Sequence, residues 1–219
     1  MRPGMIFDLD GVLVDTARFH YLAWKRLAKE ALGFDFTPRD NEAFKGVNRA
    51  SCMKLLMKMA AKDLPAAEAD RLAAQKNEWY VEMVRDMTDA DVLPGARDFL
   101  RACRARGLKT AIGSASKNCA LVLERTGIAP FFDAVVDGNA VSRAKPDPQV
   151  FLQAARALDL PPAACFVFED AQAGIDAARA GGMIPVGIAA RGALKGCRLC
   201  APSLNALSLD GVLRLLPPG

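Results

Sequence analysis

At 219 residues and 52% apolar composition, the chain has enough hydrophobic sequence for one sizeable core, or for a core with a smaller inserted unit, which excludes a disordered chain. Its net charge of +4 comes from 29 basic and 25 acidic residues scattered among one another, which suits a small anionic substrate and argues against nucleic acid, whose binding needs a clustered basic face. No apolar run approaches the roughly 20 residues of a membrane span, and MRPGMIFDLD enters folded-looking sequence with no signal peptide, so a soluble, cytoplasmic, monomeric protein without a membrane partner is expected.

Met5 to Phe7 is an apolar run that fits a short buried strand, and it stops on two carboxylates, Asp8 and Asp10, with Gly11 behind them. Residues two apart on a strand face the same way, so the two acids can address one site. There they repel unless a cation lies between them or one keeps its proton. Phe19, Ala23, Leu27 and Ala31, at four-residue spacing, predict a helix from Thr16 to Leu32 ended by Gly33. Helical patterns continue over Pro38 to Phe44, Arg49 to Lys62 and Pro65 to Met87, with no credible strand between them.

From Leu93 the character changes to alternation. Helices are predicted over Ala96 to Arg106, Lys117 to Thr126, Pro148 to Leu158, Ala171 to Ala180 and Leu209 to Leu216, and strands over Lys109 to Gly113, Ala134 to Asp137, Cys165 to Phe168 and Ile184 to Ile188. Such alternation implies right-handed crossovers and a parallel sheet covered on both faces. The expected fold is α/β: a doubly wound, Rossmann-like parallel sheet core made of residues 1–13 and 92–219, with a small α-helical cap domain, residues 14–91, inserted after the first strand. The hinges fall around Val14 to Thr16 and Asp89 to Pro94. The segment from Arg191 to Ser203 fits no element and has no functional account.

Ligands of such sheets sit beyond the carboxyl ends of the strands. Asp8, Glu169 and Asp170 can converge there as an all-oxygen set, with no histidine or clustered cysteine to add nitrogen or sulfur, and that set suits Mg²⁺. Ser114, in GSASKN, offers a hydroxyl and a main-chain N–H at a helix start, and Lys145, in KPDP, can counter charge on a phosphoryl oxygen. Together they describe phosphoryl transfer. A metal-bound, ionised Asp8 would be the nucleophile, and Asp10 would protonate the leaving oxygen and later deprotonate the acceptor. Six cysteines lie in apolar surroundings as free thiols. Cys197 and Cys200 form a CxxC that could serve zinc or redox chemistry, but no second pair follows and the single histidine, His20, is far away in sequence.

DLDGVLVDT, the serine of GSASKN, the lysine of KPDP and the acids of FEDAQAG, in this order, resemble the four motifs of the haloacid dehalogenase superfamily of phosphotransferases over nearly the whole chain. The resemblance implies Asp8 as nucleophile, Asp10 as acid/base, and Mg²⁺ held by the Asp8 carboxylate, the Asp10 carbonyl and Asp170, with Glu169 close by. The insertion is similar to the caps of the superfamily's sugar-phosphate mutases, which interconvert β-glucose 1-phosphate and glucose 6-phosphate through β-glucose 1,6-bisphosphate. By that likeness Arg49 and the turn Ala115, Ser116, Lys117, Asn118 would hold the non-reacting phosphate. Lys76 and the loop Lys45, Gly46, Val47 would contact the sugar, and His20, one turn beyond Thr16, would orient Asp10. An Arg fork for a second phosphate agrees with a bisphosphate that must turn around between half-reactions. The pattern departs at Cys52, where a hydroxyl is expected, and at Ala171, where serine is expected. A sugar-phosphate phosphatase with a looser cap is the nearest alternative. A non-enzymatic phospho-receiver is the remote one, disfavoured by Asp10 and by the insertion.

Overall fold

The computed structural model describes residues 2–216. Six strands, β1 (Gly4–Phe7), β2 (Lys109–Gly113), β3 (Ala134–Val136), β4 (Cys165–Glu169), β5 (Ile184–Ile188) and β6 (Leu199–Ala201), form one parallel sheet in the order β3-β2-β1-β4-β5-β6. Alternation along the strands sorts side chains into two apolar layers. Met5, Phe7, Phe166 and Phe168 enter one, while Ile6, Cys165 and Val167 enter the other. Phe7 and Phe168, on neighbouring strands, stack at 4.5 Å. The first layer is closed by α5 (Ala96–Ala105), α6 (Cys119–Thr126) and α9 (Leu209–Leu213), through Phe99, Leu100, Val122 and Val212. The second is closed by α7 (Gln149–Ala157) and α8 (Gln172–Ala180), through Phe151, Ala154 and Ala177. The chain leaves β1 for β2 on one side and reaches β4 on the other, so the order reverses at the carboxyl end of β1, where a crevice opens.

Between β1 and α5 lie α1 (Ala17–Leu27), α2 (Pro38–Asn41), α3 (Arg49–Met59) and α4 (Ala66–Arg85). They pack around their own cluster, including Trp24, Leu27, Phe36, Phe44, Leu56 and Leu72, which forms a helical cap. The lower turns of α4 instead send Tyr80 and Val84 into the first sheet layer. The two strands of chain that join cap and core pair with each other: Asp15 N–H donates to Asp91 O and Leu93 N–H to Leu13 O, both at 2.9 Å. No helix among the described residues is long and apolar enough to cross a membrane.

Several predicted boundaries move. The first helix widens into a π-helical turn over Ala28–Leu32 before Gly33, at φ +64°, ends it. The helix expected to reach Lys62 stops at Met59, because Ala61 adopts φ +50° and Lys62 N–H turns back to Met57 O. The sixth helix begins at Cys119 rather than Lys117. The segment left without an element contains β6, a three-residue edge strand whose register on β5 sets Val186, Gly187 and Ile188 against Leu199, Cys200 and Ala201.

Candidate active site

The strand ends converge as their positions imply. Asp8, 5% exposed, follows β1 and is fixed by its own N–H donating to Phe168 O on β4. Lys145 Nζ donates to Asp8 Oδ1 at 2.6 Å and to Glu169 Oε1 at 2.7 Å, and all three groups are buried. Buried cations survive only when paired in this way, and the two acids together hold the Lys145 ammonium above its ordinary range despite its burial. Glu169 Oε2 accepts from Ala171 N–H at 2.8 Å, so both Glu169 oxygens are engaged within the protein. The structure thus places Glu169 as the partner of Lys145, where the sequence pattern set it beside the metal.

Asp10 lies at the mouth of the crevice. Thr16 Oγ1 donates to Asp10 Oδ1, and His20 Nε2 stands 3.9 Å from the same oxygen. Burial raises the Asp10 carboxyl, against the lowering effect of the Thr16 hydrogen bond. Lys76 Nζ contacts His20 Nδ1 at 2.9 Å. While Lys76 is protonated its ammonium can only donate, so Nδ1 then accepts and the imidazole carries its proton on Nε2, the nitrogen nearer Asp10. Burial, and then the charges of Lys76 and Arg49, push the His20 pKa down and keep the ring neutral. Tyr80 stacks on that ring at 4.0 Å, and Lys76, 2% exposed, has its Nζ 4.8 Å from the Trp24 ring centroid and 5.0 Å from that of Tyr80.

Asp170 sits against Gly11. A Cβ on Gly11 would lie 2.9 Å from Asp170 Cγ, and the loop turns there at φ +80°, so glycine is required twice over. Burial raises Asp8, and burial followed by the charge of Glu169 pushes Asp170 up to about 7. A concentration of reluctant carboxylates is the environment a divalent cation relieves. Among the described residues no three His, Cys, Asp or Glu side chains form a ready metal cage. Two carboxylates, Asp8 and Asp170, line one cavity with Asp10 and make a partial set of hard oxygens, which fits an ion that keeps several waters, as Mg²⁺ does.

A second, cationic group lines the same cavity. Arg49, at the start of α3, donates to Asn77 Oδ1 at 2.6 Å, and Asn118 Nδ2 donates to that same oxygen at 2.8 Å. Asn77 therefore ties the cap to the core beside Ser116 and Lys117, which line the cavity with Ala115. Lys45, paired with Glu42 Oε2 at 3.0 Å, lies there with Gly46 and Val47. Gly46 packs on the core: a Cβ at Gly46 would meet the Cβ of Ala171 at 3.4 Å. Cys52 also faces the cavity, its thiol pushed up to about 12 by burial.

Ser114 differs from expectation. Its N–H donates to Val136 O at 3.0 Å, extending the sheet, and its Oγ accepts from Ser116 N–H at 3.1 Å. It precedes α6 by a full turn, so the helix-terminus argument belongs to Asn118, and only the Ser114 hydroxyl remains to meet an anion. The sequence KNEWYVEM pairs Asn77 with Lys76 as a cap residue without giving its bonds to Arg49 and Asn118, and Tyr80 carried no motif that named its role. The signal available for Tyr80 was helical spacing, since Lys76 and Tyr80 are four apart on α4 and share a face.

A doubly wound sheet carrying a buried aspartate–lysine pair at its switch point, under a helical cap, defines a phosphotransferase of one known class. The chain belongs to the haloacid dehalogenase-like hydrolase family, whose sequence profile matches residues 3–182. It is 36% identical to the β-phosphoglucomutase of Bacillus subtilis over 208 residues, covering 94% of this chain and 92% of that protein. It is 32% identical to fructose-1-phosphate phosphatase YqaB of Escherichia coli over 186 residues, covering 84% and 95% respectively. The crystal structure of β-phosphoglucomutase from Clostridium difficile matches with a TM-score of 0.93 at 36% identity, covering 98% of this chain and 96% of that one. Membership places the chain among enzymes, and the relatives' names divide between a mutase and a phosphatase.

Proposed function

We propose that the chain is a Mg²⁺-dependent β-phosphoglucomutase, interconverting β-glucose 1-phosphate and glucose 6-phosphate through an aspartyl phosphate on Asp8 and β-glucose 1,6-bisphosphate. The observation that carries this reading is the second cationic group, Arg49, tied through Asn77 to Asn118 with Lys117 beside it, lining the cavity that also holds Asp8, the partner of Lys145. One anion site suffices for hydrolysis. Two let a bisphosphate reverse and return its other phosphate to the same aspartate.

The Asp8 carboxylate, the Asp10 main-chain carbonyl and Asp170 would hold Mg²⁺, which when bound neutralises charge on the phosphoryl oxygens. Asp8 attacks phosphorus while Lys145, hydrogen-bonded to it, offers charge to the transferring group, with the Ser114 hydroxyl alongside. Asp10, its pKa raised by burial, donates its proton to the leaving sugar oxygen and recovers one from the incoming hydroxyl. Thr16 and His20 hold Asp10 in place. Lys76 and the Lys45–Val47 loop hold the sugar, and the cap, with Gly46 seated on Ala171, excludes water that would hydrolyse the aspartyl phosphate.

Supplying β-glucose 1-phosphate, a trace of the bisphosphate and Mg²⁺, and following glucose 6-phosphate and free phosphate together, tests the reading. Glucose 6-phosphate should accumulate with little free phosphate. Stoichiometric phosphate release with little isomerisation overturns it in favour of a sugar-phosphate phosphatase, the reading that the YqaB likeness supports.

A further inference from the structure

Four of the six cysteines, Cys52, Cys103, Cys119 and Cys165, are buried, whereas Cys197 and Cys200 are only half-buried. Cys200 lies on β6 and Cys197 just before it, after a turn through Gly196 at φ +81°. Both sulfurs converge over one residue of β5. A Cβ on Gly187 would lie 3.1 Å from Cys200 Sγ and 3.4 Å from Cys197 Sγ, so the missing side chain of Gly187 is what lets two thiols share this space. The two thiols reach one another, and their other acceptors are weak main-chain carbonyls. Cys197 faces Leu194 O at 3.5 Å, and Cys200 faces Ala189 O at 3.5 Å and Ala190 O at 3.7 Å. Among the described residues no third His, Cys, Asp or Glu joins them as a metal site, which leaves sulfur–sulfur chemistry.

The surroundings are basic and accessible. Arg191, Lys195 and Arg198 are exposed on the same loop, and Arg179 packs on Gly196, where a Cβ would lie 2.7 Å from its Nη1. The loop is anchored on its far side, because Gln172 Oε1 accepts from Lys195 N–H at 2.8 Å while Gln172 Nε2 donates to Lys195 O at 3.1 Å. Between that anchor and β6 the chain turns at Gly196, whose φ of +81° is open to glycine and strained for other residues.

We propose that Cys197 and Cys200 are a redox modification site that closes to an internal disulfide on meeting an anionic low-molecular-weight disulfide such as oxidised glutathione. One cysteine gives its proton to solvent and its thiolate attacks a sulfur of the small disulfide. That S–S bond breaks, and the leaving thiolate takes up a proton. The second cysteine, likewise deprotonated, attacks the protein sulfur of the mixed disulfide and expels the second small thiol. Two protein thiols are oxidised, the small disulfide is reduced to two thiols, and excess dithiol runs the sequence backwards.

The test is to incubate the folded chain with excess oxidised glutathione, alkylate free thiols, and map peptides without reduction. Cys197 and Cys200 should lose their thiols together as one internal bond, with about tenfold more closed disulfide than glutathione adduct, because the neighbouring thiol acts at high effective concentration. Dithiothreitol should restore both. In Cys200→Ser, Cys197 should instead retain a stable glutathione adduct, and in Cys197→Ser, Cys200 should do so. Glutathione adducts on both cysteines of the parent chain, or two free thiols after prolonged oxidation, would overturn the proposal.

Discussion

Lys76→Met removes a charge from the interior while keeping the volume of its stem. Lys76 is 2% exposed, and burial drives its pKa from 10.5 down to about 7. That fall corresponds to about 5 kcal/mol of folding free energy forgone wherever the folded chain must carry the charge. Below pH 7 the lysine is protonated in both folded and unfolded chains, and the full cost applies. Between pH 7 and 10.5 only the unfolded chain binds the proton, so stability rises with pH, and above 10.5 the effect is spent. Methionine avoids the cost but leaves His20 Nδ1 without its donor, a loss of about 1 kcal/mol moderated by water at a ring whose side chain is 31% exposed. It also forgoes the ammonium's contacts with the Trp24 and Tyr80 rings, about 1 kcal/mol more. The variant should therefore be about 2–4 kcal/mol more stable at pH 6, and the advantage should shrink towards zero near pH 10. Urea unfolding followed by circular dichroism at a series of pH values measures both. Turnover of the sugar phosphate should fall in the same variant, because the charge is kept for the ligand at the expense of the fold. A Lys76→Met chain no more stable than the parent at pH 6, with the two pH curves parallel, would refute the reasoning.

Arg49→Ala should cut sugar-phosphate isomerisation about 10- to 100-fold, the worth of a charge-assisted clamp, while hydrolysis of acetyl phosphate changes little. Parallel steady-state assays decide it, and equal losses in both reactions would remove Arg49 from the distal site. Gly11→Ala forces a side chain onto a φ of +80° and against Asp170, so turnover should drop on the order of 100-fold, with a weaker response to added Mg²⁺ and an unchanged far-UV spectrum. Tyr80→Phe deletes a buried hydroxyl that lies near the Ser116 and Thr16 side chains but makes no hydrogen bond of good geometry with them, so thermal unfolding should be unchanged or shifted upward by the equivalent of about 1 kcal/mol. A clear loss of stability would mean that the hydroxyl is bonded.

What was legible in the sequence was punctuation. Asp8, Ser114 and Asp170 could be placed because polar residues stop short apolar runs, and strand ends share one edge of a parallel sheet. Pairings across the sheet were not legible. Nothing in GSASKN says that Ser114 N–H is taken by Val136 O, and nothing in FEDAQAG says that Glu169 turns inward to Lys145 while Asp170 faces Gly11. Both depend on partners more than twenty residues away in the chain. The strand β6 was hidden for a related reason: three residues beside a basic, glycine-broken loop have no periodicity of their own, and they become a strand only because β5 offers an open edge.

The charges of the cleft explain why closure and chemistry belong together. On the core side Asp8, Asp10, Glu169 and Asp170 face a single buried cation, Lys145, whereas the cap brings Lys45, Arg49 and Lys76. Lys76 is the one most strained by burial, and His20 is kept neutral beside it. An anion entering the cleft supplies the counter-charge that Arg49 and Lys76 lack and draws the Lys76 pKa back upward. Above pH 7, binding should therefore take up a proton from solvent, and the free energy regained at Lys76 becomes available to hold the cap shut. Under this arrangement the cap is favoured closed when phosphate is present, which is when the proposed aspartyl phosphate on Asp8 would need shelter from water.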